Sequence, residues 1–176
     1  MNLRIFFDAL NNSDQQNIFE FNNWVNSIQF NNGTFPDLYE VEIAIIGVNE
    51  SPQNPQPVEN PADIIRKKLY SLSMGLSNQL KIVDLGNLRN GIDQEETIAR
   101  LKEVVEILLQ KEIFPIIIGG SHQLDVGQFL GYEYLEKPIS MVNVDAFLDI
   151  DPFHPKGNIR SHINKILTNK TFPLFH

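Results

Sequence analysis

The chain of 176 residues has no cysteine, a single tryptophan and fewer basic than acidic side chains. Without cysteine there is no disulfide framework, no thiolate metal site and no thiol nucleophile. With 14 Lys and Arg against 22 Asp and Glu, the formal charge is −8. That balance argues against a nucleic-acid backbone as partner, which requires clustered cations to displace counterions. No run approaches the roughly 18 consecutive apolar residues of a membrane span. The first ten residues include Arg4 and Asp8 and lack the apolar stretch of a secretory signal. A cytoplasmic, acidic, globular chain with neither nucleic-acid nor membrane partner is expected. At about 150 residues per domain, the length suggests one domain.

What is present is a series of short apolar runs. Val41 to Val48, Phe114 to Ile118 and Ile139 to Val144 are rich in β-branched residues and nearly continuous. This pattern suits strands covered on both faces, as in a parallel sheet. Leu3 to Phe7 and Lys81 to Leu85 are weaker candidates of the same kind. Helical patterns lie between them. Asp93 to Lys111 places Ile98, Leu101, Val105, Leu108 and Leu109 on one face, with Asp93 as a cap and Glu95 and Glu96 in the first turn. Ala62 to Leu72 forms a second helix, with Pro61 suited to its first turn. Gln123 to Tyr134 and His162 to Leu167 are shorter candidates. Strands alternating with helices predict an α/β layer fold with right-handed crossovers. Residues 1–40 differ in composition, being rich in Asn and Phe, and read as an extension packing on the core. Within them Ser13 to Ser27 reads as a loosely amphipathic helix and Asn31 to Asp37 as a turn-rich loop.

Ligands of open α/β sheets bind beyond the carboxyl ends of the strands. Three segments qualify: Gly47-Val48-Asn49-Glu50, Gly119-Gly120-Ser121-His122-Gln123 and Asp145-Ala146-Phe147-Leu148-Asp149. Taken alone, Gly119-Gly120-Ser121 is a good strand-to-helix turn with Ser121 as N-cap, and acidic residues often end strands. Taken together, His122, Asp145 and Asp149 put one imidazole and two carboxylates at one edge of the sheet, a donor set suited to Mn or Zn. Gly119-Gly120 also offers a phosphate-cradling turn, but neither G-x-G-x-x-G nor a P-loop accompanies it.

These segments carry a resemblance. Five blocks in order resemble the ureohydrolases, the family of arginase, agmatinase and formimidoylglutamase. They are Gly47 to Glu50, Asn60-Pro61-Ala62-Asp63-Ile64-Ile65-Arg66, Val83-Asp84-Leu85-Gly86-Asn87-Leu88, Phe114 to Gln123, and Asn143 to Asp149. Within the family the chain is most similar to the formimidoylglutamases. The resemblance implies a three-layer α/β/α fold with a mainly parallel sheet, of which residues 41–176 would be a partial domain, the N-terminal half. It implies a binuclear manganese hydrolase acting on the guanidino or formimidoyl carbon of a small amino-acid-like substrate, with ligands drawn from both halves.

Residue by residue, His122 matches the first imidazole ligand, and Asp145 and Asp149 match the flanking carboxylates. Phe147 stands at the position of the second imidazole, and a phenyl ring has no lone pair to donate. Ser121 and Gln123 replace the Asp and Ser on either side of the first ligand. The resemblance therefore implies one manganese ion or none here, and a chain that is weakly active or inactive. The alternative is a catalytically degenerate binding or assembly protein of the same fold. Asn158 and Arg160 match the segment that grips the substrate's amino-acid end. Related enzymes are commonly trimers or hexamers, so a homo-oligomer stays open. No residue of the chain is singled out as catalytic.

Overall fold

Among the residues described by the computed structural model, 2–10, 28–50, 60–72, 80–146 and 162–167, five strands form one sheet. They are β1 (Phe7–Asp8), β2 (Ile28–Phe30), β3 (Ile43–Val48), β4 (Ile82–Leu88) and β5 (Phe114–Ile118). The helices are α1 (Pro61–Tyr70), α2 (Gln94–Gln110), α3 (Asp125–Tyr132) and α4 (His162–Leu167). β3 lies between β4 and β5 and runs parallel to both. The outer edge of β4 is shared by β2, parallel along Ile82–Asp84, and by β1, antiparallel at Asn87–Leu88. The sheet is therefore mainly parallel.

The strands alternate their side chains between two helical layers, as the pleat requires. Ala44, Ile46, Val48, Val83 and Leu85 share a cluster with Leu101, Val104, Val105 and Leu108 of α2. Ile45, Ile82 and Ile118 turn the other way and meet Ala62 and Tyr70 of α1. The crossovers from β3 to β4 and from β4 to β5 run in opposite directions along the sheet. Connections of one hand then place α1 and α2 on opposite faces. The layers are thus α1, the sheet, and α2 backed by α3. The expected three-layer α/β/α arrangement is present.

Local chemistry explains the boundaries. Asn60 caps α1 by accepting the Ala62 N–H at 2.9 Å, and Pro61 occupies the first turn. Asp93 caps α2 by accepting the Glu96 N–H at 2.8 Å. Leu3–Phe6, expected as part of a strand, is a 3-10 turn because Asn2 takes the Arg4 N–H and closes the backbone on itself, so only Phe7–Asp8 is extended. The helix expected over Gln123 to Tyr134 is α3 alone, with 3-10 turns on either side at His122–Leu124 and Glu133–Leu135.

One expected strand is absent. Ile139 to Val144 joins no ladder, and Val142 and Val144 are 86% and 95% exposed. A continuous apolar run behaves as a strand only when both faces are covered and an edge is free to pair. Among the described residues nothing covers residues 141–144. Ile139 and Met141 instead line a groove of about 530 Å³ with Phe114, Phe129, Tyr132 and Ile163. The helix expected over Ser13 to Ser27 lies outside the described residues.

Candidate metal edge and its buried support

The order β4-β3-β5 puts a topological switch between β3 and β5, where a crevice opens beyond the carboxyl ends of parallel strands. Glu50 follows β3 at this edge, and Gly119 to His122 follow β5. Gly119 and Gly120 both take positive φ, +84° and +86°, which turns the chain sharply over the end of the sheet. A Cβ on Gly119 would stand 2.9 Å from the Val48 carbonyl oxygen. His122 emerges from this turn half exposed, with Nδ1 3.6 Å from Asp145 Oδ2. Its ring meets that of His162 edge to face, with centroids 5.4 Å apart. His162 is buried in α4, and its Nε2 is 3.4 Å from Asp125 Oδ2.

His122 and Asp145 thus come together although the strand expected to deliver Asp145 does not form. At metal–ligand bonds of about 2.1 Å, two donors of one tetrahedral ion sit roughly 3.4 Å apart. The pair fits as two donors of a single ion. Among the described residues no group of three or more His, Asp or Glu gathers as a cage. Asp149, Phe147, Asn158 and Arg160 lie outside the described residues.

Ser121 does not act as the expected cap. Its side chain makes no capping bond to the following turn. Its hydroxyl donates instead to Glu50 Oε2 at 2.6 Å, while Gln94 Nε2 donates to Glu50 Oε1 at 2.9 Å. A hydrogen bond to a charged acceptor is stronger than a neutral one, and this one holds the Ser121 hydroxyl toward Glu50.

A second polar cluster lies beneath the edge, on the α1 face, and sequence reasoning matched its residues to motifs without assigning them a role. Period-two alternation puts Asp84 on the same face as Ile82, toward α1. Arg66 reaches down from α1 and grips its carboxylate through Nε and Nη2, at 2.8 and 2.9 Å. Nη2 also donates to the Gly86 carbonyl at 2.8 Å, and Nη1 donates to Asp63 at 2.9 Å and to Asn87 at 2.6 Å. A guanidinium has five N–H donors, and all five are used. Asp84 also accepts from the Tyr70 hydroxyl and, at 2.8 Å, from the Gly86 N–H.

The reach to Asn87 depends on a bulge. Ile45 pairs with Asp84 but Gly47 pairs with Asn87, so β4 carries one extra residue and its alternation reverses. Gly47 then lies directly under the cluster. A Cβ there would fall 2.2 Å from Asn87 Oδ1 and 2.6 Å from Arg66 Nη1. Burial pushes the Asp84 carboxyl up, against the pull of Arg66 and Tyr70. Burial alone would lower Arg66, but Asp84, Tyr70 and Asp63 hold it above its ordinary value. Burial and then Asp84 raise the Tyr70 hydroxyl. Gly47, Arg66 and the Asp-x-Gly-Asn step were visible as sequence; the bulge that brings them together was not.

A sequence profile of the arginase family matches residues 41–171. The chain belongs to the arginase family. Its similarity to individual members is lower but consistent in kind. The formimidoylglutamase of Clostridium tetani is 34% identical over 98 residues, covering 52% of this chain and 29% of that protein. The formimidoylglutamase of Lysinibacillus sphaericus is 28% identical over 114 residues, covering 61% of this chain and 35% of that protein. The crystal structure of Trypanosoma cruzi formiminoglutamase with manganese superposes with a TM-score of 0.66 at 20% identity, over 77% of this chain and 50% of that one. The agmatine ureohydrolase of Thermoplasma volcanium gives 0.59 at 21%, over 88% and 53%. These superpositions bear on the fold. The chain spans about half the length of those structures and about a third of the curated relatives. The Arg66 cluster joins two of the five blocks in space: α1 and the end of β4 form one hydrogen-bonded unit.

Proposed function

We propose that this arginase-family chain is of the formimidoylglutamase type, a hydrolase architecture for a C–N bond of a linear amidine or guanidine, and that by itself it hydrolyses weakly or not at all. The observation that carries this reading is the juxtaposition of His122 and Asp145 at 3.6 Å on the family's edge, with Phe147 where a second imidazole is expected. His122, Asp145 and Asp149 would hold a single manganese ion. When bound, such an ion supplies Lewis acidity and lowers the pKa of water toward neutrality. His122 contributes its imidazole lone pair, and Asp145 and Asp149 contribute negative charge. Phe147 contributes neither, so the ligands for a second ion are incomplete. Asn158 and Arg160 would address the amino-acid end of a small amidine or guanidine substrate. The same reading places the chain in the cytoplasm, leaves a homo-oligomer open, and takes residues 1–40 as an extension on a 41–176 domain.

A second reading, a degenerate binding or assembly protein of the same fold, is favoured by one contrast. The buried Arg66 cluster keeps every donor satisfied while the metal edge has lost an imidazole. The test uses the full chain with manganese, measuring formamide from formimidoylglutamate and urea from arginine and agmatine. Release close to a metal-free control is expected. Sustained turnover with any of the three would overturn the weak-or-inactive reading and the degenerate one together.

A further inference from the structure

The Glu50, Ser121 and Gln94 side chains form a closed triangle at the switch point. Ser121 Oγ donates to Glu50 Oε2 at 2.6 Å, Gln94 Nε2 donates to Glu50 Oε1 at 2.9 Å, and Gln94 Nε2 also lies 3.2 Å from Ser121 Oγ. Three elements meet there: the segment after β3, the first residue of α2, and the turn after β5. All three side chains are partly buried. Ser121 occupies the cap position of the following helical turn, but its side chain makes no capping bond there. The bond it donates to Glu50 ties the turn after β5 to the segment after β3. What it holds is the Gly119-Gly120 turn, two consecutive residues at positive φ that have little conformational restraint of their own. His122 is the next residue along.

We propose that Glu50 is a positioning residue for His122, acting through the Ser121 hydroxyl. Glu50 acts through its bonds to Ser121 and Gln94. It fixes the turn from which the imidazole projects, with Gln94 orienting the carboxylate from α2. In effect a carboxylate from the β3 end steadies the turn that position 121 itself leaves without an acid. This inference rests on His122 being a metal donor only for its consequence in metal affinity. The positioning of the ring is independent of that reading.

The experiment compares the wild-type chain with Ser121→Ala, Ser121→Thr, Glu50→Ala, Glu50→Gln and Gln94→Ala, each first checked for cooperative thermal unfolding. The readout is the His122 imidazole resonance, assigned with His122→Ala, and its broadening during titration with manganese chloride. Ser121→Ala and Glu50→Ala should shift the His122 resonance and weaken manganese-dependent broadening by about tenfold, the lower end for loss of a supporting hydrogen bond. Ser121→Thr keeps the hydroxyl and should restore both. Glu50→Gln keeps an acceptor for Ser121, folds without a change in size, and should fall between. Unchanged resonances in Ser121→Ala and Glu50→Ala would overturn the proposal. So would a Gln94→Ala effect equal to that of Glu50→Ala with Ser121→Ala silent, because Glu50 would then serve α2 alone. If manganese broadens nothing in the wild type while Ser121→Ala still shifts His122, the metal reading fails and the positioning role stands.

Discussion

Two polar clusters of this chain lie on neighbouring parts of the sheet and differ in how completely their chemistry is satisfied. On the α1 face, Arg66 and Asp84 are 3% and 0% exposed, and all five guanidinium N–H groups find acceptors. At the carboxyl edge, His122 is 56% exposed and lies 3.6 Å from the Asp145 carboxylate. The first arrangement binds helix to sheet regardless of any ligand. The second is open to solvent on the side of the crevice. The two clusters rest on different residues and different energies, so a change at one need not disturb the other.

The comparison predicts opposite consequences for substitution. Arg66→Ala leaves a buried carboxylate without its partner and should cost about 3–5 kcal/mol, the usual result of breaking a buried pair from one side. Denaturant unfolding would measure it, and a loss below about 1 kcal/mol would mean that the cluster is not what joins α1 to β4. Gly47→Ala should be next. Its Cβ meets Asn87 and Arg66 at 2.2 and 2.6 Å, and relieving such overpacking should cost about 1–3 kcal/mol by the same measurement.

His122→Ala sharpens the contrast from the other side. It should change unfolding stability by no more than about 0.5 kcal/mol, as at an exposed position, while abolishing manganese-dependent effects on the chain. The smallest expected effect comes from exposed acids. The Ile92 N–H and Arg100 hold Glu96 below its ordinary value, and Lys81 does the same for Glu40. A lowered folded-state value means stability that is full above the unfolded pKa and lost as pH falls through the folded one. The window lies below the ordinary value of 4.5. Melting curves of wild type and Glu96→Gln should converge slightly as pH falls from 6 to 3, which also cancels the opposite trend from Asp84.

The sheet, its layers and both central helices were legible because burial leaves a periodic trace. Phe114–Ile118 forms the expected strand, and Asp93 caps α2 as its place before the helix suggests. Ile139 to Val144 misled because an apolar run records what a segment needs, not whether a neighbour supplies it. Ser121 misled for a different reason: capping preference is local, whereas its actual partner, Glu50, is 71 residues away. The Arg66 cluster escaped because the residues that build it belong to three separated segments, β3, α1 and β4, and the bulge in β4 that aims Asn87 has no signature in the order of residues. At the candidate metal edge the residue types and the nearness of His122 to Asp145 were readable, but the route was not, since Asp145 reaches His122 from an irregular segment rather than a strand.

The central claim is that the chain keeps the arginase-family scaffold with ligands for one manganese ion at most. Equilibrium dialysis against manganese, followed by metal analysis of the full chain and of Phe147→His, tests it most directly. The account predicts no more than one ion per wild-type chain and a gain in stoichiometry or affinity when imidazole replaces the phenyl ring. Two tightly held ions per wild-type chain would contradict it.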